Sequence, residues 1–289
     1  MATVLSGTAK PAARRGVWDF VRRNPTIVIG GTLMALIVAA ALFAPLIAGD
    51  PLIFQPINRL KAPSDEFLLG TDSLGRDVYA RTIYGARISL LVGLSVAIIA
   101  VAVGLVVGLS AGYFPRLDAF VMRLMDGIMA IPSILLAIAL VSLMGASVRV
   151  VIIAISIPEI PRVTRLVRSV VLSVRELPYV DAARSNGTRA LKILRRHILP
   201  STIPPLIVQA TYVCASAILT EAGLSFLGAG TPPEFPTWGN MIASSRLYLQ
   251  IAPWTIFAPG VCLALVVLAV NLLGDGLRDH LDPRLARRM

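Results

Sequence analysis

The chain is poor in charge, lysine, histidine and cysteine. Charged residues fill 15% of its 289 positions, against about 25% in a water-soluble domain, and mean hydropathy is +0.78. The only lysines are Lys10, Lys61 and Lys192, preceded by Ala, Leu and Leu. A phosphate-cradling P-loop needs glycine before its lysine, because backbone amides and that lysine hold the phosphates together. ATP hydrolysis by that route is excluded. His197 and His280, the only histidines, lie in polar segments and leave no HExxH zinc site. Cys214 and Cys262 stand singly in apolar runs without CxxC spacing, and read as small buried hydrophobes. GLSAG at 108–112 matches a nucleophile elbow by letter only, since that motif needs a strand-to-helix turn and a histidine base. No catalytic, cofactor or metal site is expected. Net charge is +11, but the basic residues form short clusters between apolar runs, with no aromatic platform for nucleic acid.

Long apolar runs are what the chain has in abundance. Residues 26–48, 88–115, 127–148 and 247–274 carry no charge at all, and about 20 helical residues cross the hydrocarbon of a bilayer. Residues 203–220 form a fifth run despite Pro204 and Pro205. The stretch 150–174 is weaker because it contains Glu159, Arg162, Arg165 and Arg168. Lys and Arg concentrate on the cytoplasmic side of membrane proteins. If 150–174 spans, six helices with both termini inside keep most Lys and Arg cytoplasmic. Dropping it throws the cluster from Arg162 to Arg196 outside. The expected fold is therefore an all-α membrane protein with six transmembrane helices.

The divisions follow. A cytoplasmic segment occupies 1–25, and a first, peripheral span 26–48; about 25 polar and basic residues before a full-length span do not resemble a cleaved signal. An extracytoplasmic segment covers 49–87, with 65–87, bearing Tyr79 and Tyr84, expected as an interfacial helix. The core transmembrane domain covers 88–276, and a cytoplasmic tail 277–289. Within the core, 175–200 is a cytoplasmic loop. A helical wheel puts Leu191, Leu194 and Ile198 on one side and Arg189, Lys192 and Arg196 on the other, with Ile193 and Arg195 blurring the pattern, and Gly187 predicts a bend between two short helices; a helix lying on anionic headgroups is the competing reading. Gly104, Gly108 and Gly112, four apart, make a face that needs a close protein neighbour rather than lipid.

Three carboxylates fall in or near spans, where such groups face protein or water and often mark a transport path. Asp126 has Arg123 three residues earlier as a local partner, and Glu159 has Arg162 three residues later. Glu221 has no sequence-local partner, which makes it, with Glu159, a candidate for the translocation path.

The loop 181–200, DAARSNGTRALKILRRHILP, resembles the cytoplasmic loop of ABC importer permeases, written EAA, three residues, Gly, nine residues, I-x-L-P. Asp181, Ala182, Ala183, Gly187, Leu199 and Pro200 match in place; Asp stands for the leading Glu and His197 for the Ile. Residues 68–93, 217–230 and 271–285 resemble the C-type permease subunit of dipeptide and oligopeptide ABC importers, and the likeness runs from about residue 20 to 285. It implies an ABC importer permease fold in the bacterial inner membrane, transporting peptides, with a coupling helix in the 181–200 loop. Leu191 and Leu194 of its apolar stripe would meet an ATPase groove. The implied partners are a homologous B-type permease subunit, two cytoplasmic ATPase subunits that bind ATP and Mg, and an extracytoplasmic substrate-binding protein. The glycine face then predicts poor stability of the chain without its homologous subunit. An ion-coupled secondary transporter using Glu159 or Glu221, and a structural membrane scaffold, are the competing classes. Uptake that survives ATP depletion marks the first of these, and deletion without a transport defect the second.

Overall fold

The computed structural model describes residues 24–281, and most of these are helical. The expectations for 1–23 and 282–289, including the basic residues of both ends, lie outside the described residues. In chain order the helices are α1 (Pro25–Leu42), α2 (Ala44–Ile47), α3 (Val78–Tyr113), α4 (Pro115–Met129), α5 (Ser133–Met144) and α6 (Val148–Arg175). Then follow α7 (Pro178–Ser185), α8 (Ala190–Ile193), a π-helical turn (Leu194–Ile198), α9 (Leu199–Phe226), α10 (Trp238–Ser245) and α11 (Trp254–Leu281). By length and apolarity α1, α3, the continuous α8–α9 unit and α11 are candidate membrane spans. The pair α4–α5, bent by 84°, makes a fifth if counted as one broken span. Helix α6 has the length, 28 residues, but not the apolarity.

Several expected boundaries move: the first span breaks at Phe43, and the last helix covers 254–281 where the apolar run is 247–274. The run 127–148 is not one straight helix. Pro132 disfavours helical backbone at Ile131 before it, so the chain turns there and leaves α5 only 12 residues, about 18 Å and too short to cross alone. Residues 65–87 are not an interfacial helix either. A tight loop with an isolated bridge between Thr71 and Asp77 precedes α3, which runs unbroken for 36 residues. Asp77 starts it: its Oδ1 accepts the Tyr79 N–H at 2.9 Å, satisfying one of the free donors of a helix start. The stretch ahead of α3 thus ends at 77, and Val78 to Arg87, expected before the core, belong to the first turns of α3.

Helices α3 and α6 form the centre of the bundle. A Cβ added at Gly104 would lie 2.6 Å from Val163 Cβ, and one at Gly112 2.7 Å from Val171 Cβ. At Gly108 it would lie 2.7 Å from Val167 Cβ and 2.8 Å from the Thr164 carbonyl. The three glycines therefore admit the valine ridge of α6 at backbone distance, as small residues do between membrane helices. The close neighbour they require is in the same chain. This face is used up internally and gives no argument that the chain depends on a second subunit. In GLSAG, Ser110 Oγ simply donates to the Val106 carbonyl one turn back, at 2.8 Å.

Only Gly30 and Ala41 of α1 are buried, so α1 lies on the rim, against α11. Ile27 and Thr26 meet α11 at Gly276, which puts the start of α1 beside the end of α11. At the opposite end, Trp254 Nε1 donates to the Thr71 carbonyl at 3.2 Å and Trp238 Nε1 to the Thr82 carbonyl at 2.9 Å. The bundle thus has one end built from 49–77 and 226–254, and another built from 112–118 and 175–198.

Candidate functional site

The segment between α6 and α9 is an elbow. Pro178 suits the first turn of α7, where its missing N–H leaves no bond unmade, and Asp181 lies in that turn, where a negative charge suits the helix dipole. Helix α7 ends at Ser185, and Gly187 follows with φ +71°, in the left-handed region that glycine enters without strain. The bend expected at Gly187 is present. A Cβ there would meet nothing within 4 Å, so the position is constrained by backbone conformation and not by space.

The apolar side of the elbow differs from the wheel. Ile193 and Ile198 are the buried anchors, at 1% and 0% exposure, while Leu191 stands 77% exposed. The phase shifts because Leu194–Ile198 is a π turn, in which the Leu199 N–H bonds the Leu194 carbonyl five residues back. A wheel drawn at 3.6 residues per turn misplaces residues on either side of it. Leu194, Leu199 and Ala183 are half-buried, whereas Asp181, Ala182, Gly187 and Pro200 are exposed. Asp181 reaches Arg184 Nη1 at 3.2 Å on the surface. Leu199 and Pro200 are not the end of a loop but the first turn of α9, because the π turn feeds into it without a break. Val180, wholly buried, anchors the other limb. What remains outward is a small apolar patch of Leu177, Tyr179 and Leu191, flanked by exposed Arg184, Arg189, Lys192, Arg195 and Arg196.

The arginines of α6 hold the limb that carries this elbow. Arg168 grips Asp118 of α4 with two nitrogens, at 2.5 and 2.6 Å, the forked geometry that favours Arg over Lys. Arg165 Nη2 meets Asp126 Oδ1 at 2.5 Å, and Arg175 Nη1 donates to the Gly112 carbonyl at 2.9 Å. Asp126 is thus paired across helices with Arg165, not with Arg123 as sequence distance suggests. Spacing along one helix is blind to a partner 39 residues away.

The two path candidates sit differently. Glu159 is 3% exposed; its Oε1 takes Arg162 Nη1 at 2.8 Å and Ser216 Oγ at 3.3 Å, and its Oε2 has no hydrogen-bond partner among the described residues. Ser216 also lines a polar hollow of about 380 Å³ with Tyr212, Thr220 and Asn271. Glu221 is 1% exposed and does have partners: Ser225, a sequence-local one on the next turn of α9, and two threonines from a loop that returns to it. Its Oε1 accepts hydroxyls from Ser225, Thr237 and Thr231 at 2.8, 3.0 and 3.2 Å. Thr237 in turn caps α10 by accepting the Asn240 N–H at 3.1 Å. Glu221 therefore fastens the 228–237 loop to the end of α9.

A family described as binding-protein-dependent transport system inner membrane component matches residues 100–287. The N-terminal TM domain of oligopeptide transport permease C matches residues 14–63. A probable peptide ABC transporter permease protein of Sinorhizobium fredii is 62% identical over 267 residues, 92% of each chain. A di/tripeptide transport system permease protein of Pseudomonas aeruginosa is 44% identical over 95% of this chain and 93% of its own. A glutathione transport system permease protein of Pectobacterium atrosepticum is 40% identical over 94% and 91%. Among solved structures, the MetNI methionine ABC transporter in an inward-facing conformation shares the fold, with a TM-score of 0.58 at 18% identity, over 70% of this chain and 96% of that one. The chain belongs to the family of binding-protein-dependent transport system inner membrane components, and is a multi-pass inner-membrane permease of an ABC importer.

Proposed function

We propose that this chain is the C-type half of a peptide-conducting path, completed by a homologous B-type permease, driven by two cytoplasmic ATPase subunits and supplied by an extracytoplasmic binding protein. In this reading α6 is the sixth span, both termini are cytoplasmic, and ATP and Mg bind only on the partners. The observation that carries it is the elbow: a bent, basic, surface segment with an apolar patch, rooted at one end of the bundle by Val180, Ile193 and Ile198. A membrane-spanning chain with no P-loop needs such a handle if ATP is hydrolysed elsewhere. Charged α6 is tolerable as a span because Arg162, Arg165 and Arg168 are all paired with carboxylates, and pairing is one way in which charged residues are accommodated in membranes. The peptide substrate is carried over from the relatives' names.

Leu191 tests the docking. Losing the burial of one leucine forfeits about 1.5–3 kcal/mol, and a charge in its place adds a desolvation penalty. Leu191→Glu is expected to leave the chain in the membrane at normal levels while co-purified ATPase falls by tenfold or more. Retention of the ATPases at wild-type stoichiometry sinks the elbow as their dock. Sidedness is tested separately. After removal of Cys214 and Cys262, a cysteine at Ser185 should react with impermeant reagent only in inverted vesicles, and one at Ser64 only in intact cells. Labelling of Ser185→Cys from outside rejects the six-span topology.

A further inference from the structure

The end of the bundle opposite the elbow contains a cleft of about 480 Å³ whose lining includes Arg76, Arg81 and Arg246. Three guanidiniums on one small hollow are unusual in a chain this poor in charge, and their neighbours do not neutralise them. Among the described residues Asp72 is the one carboxylate in contact: its Oδ2 lies 2.6 Å from Arg76 Nε and 3.8 Å from Arg81 Nε. One negative charge is thus shared by two arginines. Arg81 is 2% exposed, and of the five N–H donors of a guanidinium its one hydrogen bond uses Nη1, to the Pro51 carbonyl at 3.3 Å. Glu221, the other carboxylate behind this wall, has its Oε1 occupied by the hydroxyls of Ser225, Thr231 and Thr237. Arg246 is exposed at the rim, with Phe226 under its guanidinium at 5.9 Å.

The walls are fixed. Asn240 Nδ2 donates to the carbonyls of Thr231, Pro232 and Phe235 and to Thr231 Oγ1, at 2.9–3.3 Å, so the 231–236 turn cannot fall into the hollow. Gly230, which lines it, packs so tightly on Ser225 that no Cβ fits. The recessed charge sets the shape of the ligand. Arg246 is exposed and Arg81 buried along the same lining, so a slender chain end suits the hollow better than a flat protein surface.

We propose that this outer cleft binds the terminal carboxylate of a peptide before it enters the membrane path. The proposal rests on the reading of the chain as a peptide permease; the carboxylate preference itself rests on the arginines. A carboxylate held by a guanidinium through paired bonds is the favoured partner of such a site.

The test uses the assembled transporter in nanodiscs without the binding protein, whose own selectivity would otherwise intervene. Binding of a fluorescent tripeptide with a free C-terminus is compared with its C-terminal amide. Arg246→Gln is the variant of choice, because Arg246 is exposed and in no ion pair among the described residues, so the fold does not depend on it. The free acid is expected to bind on the order of tenfold tighter than the amide, the scale of one charged hydrogen bond. Arg246→Gln should weaken the acid by a similar factor, spare the amide, and be partly rescued by Arg246→Lys. Equal binding of acid and amide to the wild type overturns the proposal. So does an acid preference untouched by Arg246→Gln together with weaker attachment of the binding protein, which would assign the arginines to an acidic protein surface. If the wild type imports no peptide yet binds succinate through Arg246, the carboxylate site stands and the peptide reading falls.

Discussion

Replacing Gly187 by leucine should abolish uptake while leaving the chain inserted and folded. Gly187 has φ +71°, and a Cβ placed on it meets no atom within 4 Å. The loss is therefore one of backbone conformation alone. A branched residue held at positive φ costs about 1–3 kcal/mol, enough to shift the elbow out of its bend, and the strain falls between α7 and α8, the two limbs that present Tyr179 and Leu191. Asparagine enters the left-handed region more readily than other side chains, so Gly187→Asn should keep much of the activity. Arg189→Ala should do little, since an exposed ion pair is worth about 0–1 kcal/mol. Co-purification of the ATPases and peptide-dependent ATP turnover in vesicles check all three. Equal behaviour of Gly187→Leu and Gly187→Asn would mean that the bend does not matter for coupling.

The second large effect is expected at Gly108, and of the opposite kind. A leucine there must displace Val167 and the Thr164 carbonyl, 2.7 and 2.8 Å from its Cβ; the latter is backbone and cannot rotate away. Overpacking alone costs about 1–3 kcal/mol, and prising α3 from α6 also opens the contacts at Gly104 and Gly112. Gly108→Leu should therefore fail to accumulate in the membrane. Gly127→Ala is the control: Gly127 is an exposed glycine of α4 with open space at its Cβ, and alanine favours the helix by about 1 kcal/mol. Immunoblots of membranes and melting of the solubilised complex measure both. Normal levels of Gly108→Leu would refute the packing of α3 on α6. The two glycines are told apart by what fails: levels for Gly108, coupling for Gly187.

The helices that are apolar throughout were legible because lipid-length runs need no partner to be recognised. Gly187 was legible because its bend is local. The Glu159–Arg162 pair was legible because it is three residues long. What the sequence hid was set by distance. Asp126 finds Arg165 across two helices, and Glu221 finds Thr237 through a returning loop. The wheel failed at Leu191 because a single π turn changes the angular step. The glycine face was read correctly as a close-packing surface, but nothing in its spacing says whether the neighbour is α6 or another subunit. The cluster of Arg76, Arg81 and Arg246 escaped notice because its members come from the loop before α3, the first turn of α3 and the turn after α10, with Arg81 and Arg246 165 residues apart.

The π turn has a mechanical consequence. Because Leu194–Ile198 joins α9 without a gap, the elbow and α9 form one continuous rod, with the elbow at one end of the bundle and Ser225, on the cleft wall, near the far tip. Pro204 and Pro205 lie within α9 and withhold two backbone bonds, making a soft fulcrum just above the handle. From that fulcrum to Phe226 the arm is about 32 Å long at 1.5 Å per residue. A tilt of about 10° there swings the tip by about 5 Å, the width of one side chain. If the elbow docks as proposed, a small stroke there would reach the opposite end of the bundle amplified.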